Sequence, residues 1–433
     1  MARVTSGIKA GRKAKIVATT FAATTLLVLL VANLALGDKR IDRQVPVLYA
    51  VEDAQFRRSM GVILGPPMIA GNRVEALVNG DRIFPAMLEA IRGAQRTITF
   101  ETYIYYSGTI GAAFSRALAE RARAGVKVHV IFDAVGAGKI DDRFEDEMRA
   151  AGVELEKYNP LRWYTLAQMN NRTHRKLLVV DGRVGFTGGV GIADEWAGDA
   201  QDPKHWRDTH FRIEGPVVAQ LQAAFMENWI EITGRVLHGE AYFPLLAPAG
   251  DQTAQFFVSS PGGGGESMQL MYLLSIAATA KRLLISASYF VPDNVEVRAL
   301  AEAARRGARV QIILPGAEID SEIVRRASRA SWGELLRAGV EIYEYQPTMY
   351  HCKVMIVDGL WVSVGSTNFD SRSFSVNDEA NLNVLDPGFA REQERIFAED
   401  LKRARRITLE QWRSRPWAER LWEHTMGLLS SQL

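Results

Sequence analysis

The sequence contains one cysteine, Cys352, in 433 residues. No disulfide framework and no cysteine-based metal site can be built within one chain. An excess of charge is also missing. Fifty-two Lys and Arg against 50 Asp and Glu leave a formal charge of +2, which excludes the strongly basic surface of a general nucleic-acid binder. No charged residue interrupts Ile16 to Leu36, and no acid precedes that run, where Arg3, Lys9, Arg12, Lys13 and Lys15 stand. A run of roughly 20 apolar residues is long enough to cross a bilayer as a helix. The excess of Lys and Arg on its N-terminal side places that side in the cytoplasm and the rest of the chain outside it. A cleaved leader ending near Ala35-Leu36-Gly37 is the alternative.

What is present is an apolar fraction of 47%, enough to fill two sizeable cores, and a long internal repeat. The first copy has an apolar, β-rich stretch up to Tyr103, a helical stretch, Gly125-Val126-Lys127-Val128, and then Ala151-Gly152-Val153-Glu154. The second repeats the order through Val291, Gly307-Ala308-Arg309-Val310 and Ala338-Gly339-Val340-Glu341. Strands alternating with helices imply mixed α/β sheets, and a repeat this long implies a duplicated domain. The expected organisation is a basic tail (1–15), a transmembrane anchor (16–36), a linker (37–73), a first lobe (74–247), a second lobe (248–400) and a basic, aromatic C-terminal helix (401–433). The glycine run 262–265 reads as a joint between the halves. Residues 161–169, with Trp163 and Tyr164, and the C-terminal stretch, with Trp412, Trp417 and Trp422 among arginines, have the composition of lipid-facing segments.

Each copy ends in the same words. His174-Arg175-Lys176 runs through four apolar residues to Asp181, and His351-Cys352-Lys353 runs through four more to Asp358. Side chains alternate along a strand, so each copy aims an imidazole and an ammonium the same way and turns Cys352 into the core. Two such pairs facing each other suit phosphodiester chemistry. One neutral imidazole attacks phosphorus and the other, protonated, supplies the leaving alcohol. The lysines neutralise the nonbridging oxygens. Asp181 and Asp358 complete the catalytic set, although each ends a strand and is expected to support the site by fixing a turn. No metal or other cofactor is required, and lysine is no metal ligand near neutral pH.

These motifs resemble the phospholipase D superfamily, and within it the bacterial cardiolipin synthases. Gly365-Ser366-Thr367-Asn368, with Arg372-Ser373 beyond, is similar to a phrase that follows the second motif in that family, as are Tyr289-Phe290-Val291-Pro292-Asp293 and His205-Trp206-Arg207-Asp208-Thr209. The resemblance implies a two-lobed fold with one active site at a pseudo-twofold interface. It implies His174 as nucleophile and His351 as acid and base, Asp208 and Glu379 each orienting the histidine of its own half, and Ser366 and Asn368 on phosphate oxygens. Gly189 and Gly191 stand in the first copy where Ser366 and Asn368 stand in the second. The implied reaction passes a phosphatidyl group from phosphatidylglycerol to a second phosphatidylglycerol, giving cardiolipin and glycerol at a bilayer, with no nucleic acid involved. Alternatives with the same residues are a phospholipase D using water or a small alcohol, a metal-independent nuclease, and a non-catalytic lipid-binding protein.

Overall fold

A computed structural model describes residues 13, 15–28, 41, 43–160, 171–261, 266–417, 419, 420, 422 and 423. The glycine run 262–265 and residues 161–169 lie outside them. The chain forms two compact units, 1–40 and 41–433. In the first, residues 15–28 are helical. Residues 29–36 of the expected membrane span lie outside the described residues, and among the described residues no helix is long and apolar enough to cross a membrane.

The second unit is a mixed α/β structure built twice. Fifteen of its seventeen strands among the described residues form one continuous sheet, and the other two, Phe290–Val291 and Phe369–Asp370, form a separate parallel pair. From the centre outwards the first half places Ile69–Val78, Thr209–Glu214, Val184–Gly188, Leu177–Val180, Thr97–Thr102, Lys127–Asp133 and Glu154–Tyr158. The second half repeats the order with Gln252–Ser259, Glu379–Leu385, Trp361–Gly365, Lys353–Val357, Arg282–Ala287, Arg309–Pro315 and Glu341–Tyr345. Directions match as well. The strand that follows each motif histidine, Leu177–Val180 or Lys353–Val357, runs antiparallel to both neighbours, and the outer three strands of each half are parallel. The halves join where Ile69–Val78 meets Gln252–Ser259, antiparallel.

Apolar runs on both faces explain why Leu177–Val180 and Lys353–Val357 are wholly buried. Helices Val218–Thr233 and Pro387–Lys402 sit at matching places and share one core, through Leu221, Phe225 and Trp229 from one and Phe389 and Phe397 from the other. Each half has a further core of its own.

Two segments differ from expectation. The stretch 37–73 holds helix Ala54–Ile63, whose Phe56 and Met60 are buried in the second-half core, and the start of a central strand. Phe56 meets Trp361 edge to face, so this segment closes a core that the repeat leaves open. The C-terminal stretch is not one helix. Helix Pro387–Lys402 ends at its boundary, Ala404–Ile407 adds an edge strand to Glu341–Tyr345, and a short helix, Leu409–Arg413, follows. Trp412 packs on Gly333 and donates to the Arg329 carbonyl, a place in the second half's own packing.

Asp181 and Asp358 lie at the far ends of their strands, and the structure corrects their assignment to the catalytic set. Asp181-Gly182 and Asp358-Gly359 all have positive φ, the signature of a two-residue type I′ hairpin turn. Asp181 accepts from the backbone N–H groups of Gln95, Arg96 and Thr97, and Asp358 from those of Ala280, Lys281 and Arg282. Each carboxylate ties its hairpin to the start of the neighbouring strand. Five residue steps, through four residues of strand, take the chain from Lys176 to Asp181, roughly 16 Å at about 3.3 Å per step. Asp181→Ala loses three acceptor contacts and puts a β-carbon without polar help in a left-handed conformation. It should destabilise the fold by about 3 kcal/mol, read as a lower denaturant midpoint, while kcat of the folded fraction stays near native. A loss of kcat without loss of stability would return Asp181 to the catalytic set.

Candidate active site

Strand geometry brings the motif histidines and lysines to one place, and contacts between the halves decide how they are held. Thr173, just before His174, makes a parallel bridge to Asp378, just before Glu379. The His174 N–H donates to the Asp378 carbonyl (2.9 Å), and the Asp378 N–H donates to the Arg172 carbonyl (2.9 Å). The other half does the same. Tyr350, before His351, bridges Arg207, before Asp208. The Arg207 N–H donates to the Met349 carbonyl (2.9 Å) and the His351 N–H to the Arg207 carbonyl (2.8 Å).

The consequence is a crossed pairing. His174 Nδ1 lies 3.0 Å from Glu379 Oε1, and His351 Nδ1 lies 2.7 Å from Asp208 Oδ2. Each acid orients the histidine of the other half, not of its own half as the family resemblance implied. A parallel bridge one residue earlier sets both members of a pair side by side, so the exchange follows from the backbone. An ionised carboxylate can only accept, so Nδ1 carries the proton and Nε2 is left as the basic nitrogen.

Each lysine folds back on its own histidine. Lys176 Nζ donates to the His174 carbonyl (2.7 Å) and Lys353 Nζ to the His351 carbonyl (2.8 Å). Lys353 also donates to Ser288 Oγ (2.7 Å), which in turn donates to Asn368 Oδ1 (2.6 Å). Tyr103 takes the place of Ser288 in the first half, with its ring centre 5.5 Å from Lys176 Nζ.

Burial sets the charge states. It lowers His174 to about 4, against the pull of Glu379, and Lys176 and Lys353 push the same way. The ring is therefore neutral at pH 7, as a nucleophile must be. Burial lowers His351 too, seconded by Lys353, while Asp208 opposes. Burial takes Lys176 down to about 7 against Glu379, so its ammonium is lost as pH rises past neutrality. For Glu379 and Asp208 burial works upwards, but the facing imidazole and lysines outweigh it and hold both carboxyls below their ordinary range. Among the described residues no group of three His, Cys, Asp or Glu side chains is placed to hold a metal ion.

The family described as "Cardiolipin synthase, PLD-like domain" matches residues 87–229 and 272–401. The chain belongs to this family. Cardiolipin synthase of Geobacillus kaustophilus (strain HTA426) is 37% identical over 370 residues, which cover 85% of this chain and 74% of that one. Cardiolipin synthase A of Pseudomonas putida (strain KT2440) is 36% identical over 354 residues, covering 82% and 73%. A solved structure, phosphatidylserine synthase of Haemophilus influenzae Rd KW20, covers 88% of this chain and 100% of its own with a TM-score of 0.67. At 14% identity that likeness is one of fold.

Within this cardiolipin synthase-type site, Ser366 is placed differently from the phosphate-binding role implied by resemblance. Its hydroxyl donates to Glu379 Oε2 and accepts from the Ala380 N–H. It holds the carboxylate that holds His174. In the first half the corresponding Gly189 has no room for a side chain, because a β-carbon there would meet Asp208 Oδ1 at 2.4 Å. The donor comes instead from Trp196, whose Nε1 lies 3.0 Å from Asp208 Oδ2. Asn368 stays beside the lysine through Ser288. Cys352 lies buried near Thr209, and burial pushes its thiol up to about 12, so it is inert.

Sequence reasoning missed the residues that brace the bridges. Under Thr173 lie Glu101, which accepts from Thr173 Oγ1 (2.5 Å) and Asn228 Nδ2 (2.7 Å), and Asp378, which Asn228 also reaches (3.3 Å). Burial raises Glu101 to about 7. Under Tyr350 lie Ser286 and Asp400, both bonded to its hydroxyl, and Arg207 forks onto Asp400 with two contacts of 2.8 Å. Glu101 matches Ser286 by strand register, and Asn228 and Asp400 come from the two equivalent helices. Their one signal in the sequence is polar residues on helices that are otherwise apolar on that face.

The crossing is directly testable by NMR. Glu379→Gln should remove or shift the downfield Nδ1–H resonance of His174 and leave that of His351, and Asp208→Asn should do the reverse. The opposite assignment would restore pairing within each half.

Proposed function

We propose that the chain is a cardiolipin synthase-like phosphatidyltransferase that works through a phosphohistidine on His174. The crossed His–carboxylate pairs carry this reading, since they hold two imidazoles, one from each half, with Nδ1 engaged and Nε2 left for chemistry. In the first step His174 Nε2 attacks the phosphorus of phosphatidylglycerol, the bond from phosphorus to the glycerol oxygen breaks, and His351 gives that oxygen its proton. Lys176 and Lys353 offset the charge that grows on the nonbridging oxygens. In the second step neutral His351 takes the proton from a hydroxyl of a second phosphatidylglycerol. That oxygen attacks phosphorus, and the bond to His174 breaks, releasing cardiolipin and restoring both rings.

The names of the curated relatives support cardiolipin as the product. The uncharged run from Ile16 to Leu36, with only basic residues before it, supports a single membrane anchor with the N-terminus inside and the catalytic unit outside. Both substrates then reach the site from the same bilayer.

Purified protein in mixed micelles with phosphatidylglycerol radiolabelled in the acyl chains tests the reading. The expected products are cardiolipin and one free glycerol per turnover. Phosphatidic acid as the only labelled product would make the enzyme a hydrolase. His351→Ala should slow turnover at least about 10²-fold, the lower range for loss of a general acid.

A further inference from the structure

The two halves surround their histidines differently. Among the described residues His174 has one aromatic neighbour, Tyr103, with ring centres 5.2 Å apart at 65°. That ring also lies beside Lys176 Nζ. His351 lies against two indoles, Trp206 at 5.5 Å and 35°, and Trp196 at 5.2 Å and 82°. The indoles touch each other, with centres 4.5 Å apart. Trp196 Nε1 and His351 Nδ1 converge on the same oxygen, Oδ2 of Asp208. Nothing in the pseudo-twofold frame requires this difference.

We propose that Trp206, backed by Trp196, is a positioning residue that stabilises the positive form of His351 by cation–π attraction and thereby makes the second half the source of the proton. The inference rests on the reading above, in which the phosphatidyl group goes to His174.

An acid at this position must be a cation in a buried place. Four influences face it. Lys353 Nζ is 3.2 Å from both ring nitrogens and repels the charge. Burial acts in the same direction. Asp208 favours the charge at contact, and Asp320, on the loop after Arg309–Pro315, favours it from further away. One carboxylate shared with an indole N–H is thin support for an imidazolium beside an ammonium. The indole face is the neutral surface that attracts a cation most strongly, and it does so most where water is excluded. Trp206, tilted only 35° from the imidazole plane, presents such a face, while Trp196 fixes Asp208 and packs against Trp206. His174 attacks as a neutral ring and gains nothing from such a cage.

The sign follows. Without the indole the neutral ring is favoured, the pKa of His351 falls, and a smaller fraction is protonated at any given pH. The alkaline limb of kcat/KM should move to lower pH by about half to one unit. Lys176 also titrates in this region, so the two must be separated by leaving group. Glycerol needs a proton to depart and 4-nitrophenol does not.

The full chain in micelles is assayed with phosphatidylglycerol and with the phosphatidyl ester of 4-nitrophenol. Native protein is compared with Trp206→Leu and with protein carrying tetrafluorotryptophan at 206 alone, which keeps the shape and empties the face of negative charge. On the alkaline side the phosphatidylglycerol rate should fall about three- to tenfold in both variants, with the limb displaced, and the loss with the nitrophenyl ester should be several-fold smaller. Equal losses with both substrates, or an unmoved limb in the fluorinated protein, would overturn the inference while leaving the phosphohistidine reading intact. An adduct from the nitrophenyl ester that maps to His351 in native protein would overturn both.

Discussion

The active site depends on two short parallel bridges between the halves, Thr173 with Asp378 and Tyr350 with Arg207. Each stands one residue before a histidine on one side and one residue before a carboxylate on the other, so the backbone itself delivers His174 to Glu379 and His351 to Asp208. Neither half can orient its own histidine. A single copy would leave a buried imidazole without a partner, and a buried carboxylate with none, each at the cost of an unsatisfied group. Duplication, shared core and chemistry are thus one constraint. The helices that complete the shared core, Val218–Thr233 and Pro387–Lys402, also supply Asn228 and Asp400, which brace the bridges from beneath.

The frame is symmetric and its chemistry is not. Ser366 holds Glu379 where Trp196 holds Asp208. A carboxyl–amide network braces one bridge, and an Arg–Asp ion pair braces the other. Arg175 lies between His174 and Lys176, buried against Glu227 and Ser260, where the other half has Cys352. These exchanges preserve position and change polarity, which is how one geometry gives the two rings different surroundings, as the proposed division into nucleophile and proton carrier requires.

Much of this was legible in the residues. Alternation along a strand pairs each histidine with its lysine, and the repeat implies two such pairs. The Asp-Gly steps were legible as turns, and positive φ with three backbone donors shows why those aspartates belong there. The crossing was not legible, because Asp208 and Glu379 stand at equivalent places and either pairing satisfies the pattern. Only the inter-half bridges break that tie. Trp196 left one faint trace, the glycine at 189 opposite a serine at 366. It could be read only once Asp208 was seen to fill the space. The stretch 37–73 looked like a linker because its buried apolar residues in that core, Val51, Phe56, Met60 and Leu64, serve a core made elsewhere in the chain.

The most direct test is a structure of the protein with vanadate, which takes the shape of a phosphoryl group in transfer. One vanadium bound to His174 Nε2, with His351 Nε2 hydrogen-bonded to the opposite apical oxygen and each Nδ1 on the other half's carboxylate, is the expected result. Vanadate held by one histidine alone, with the second ring in a separate cavity and out of reach, would contradict it.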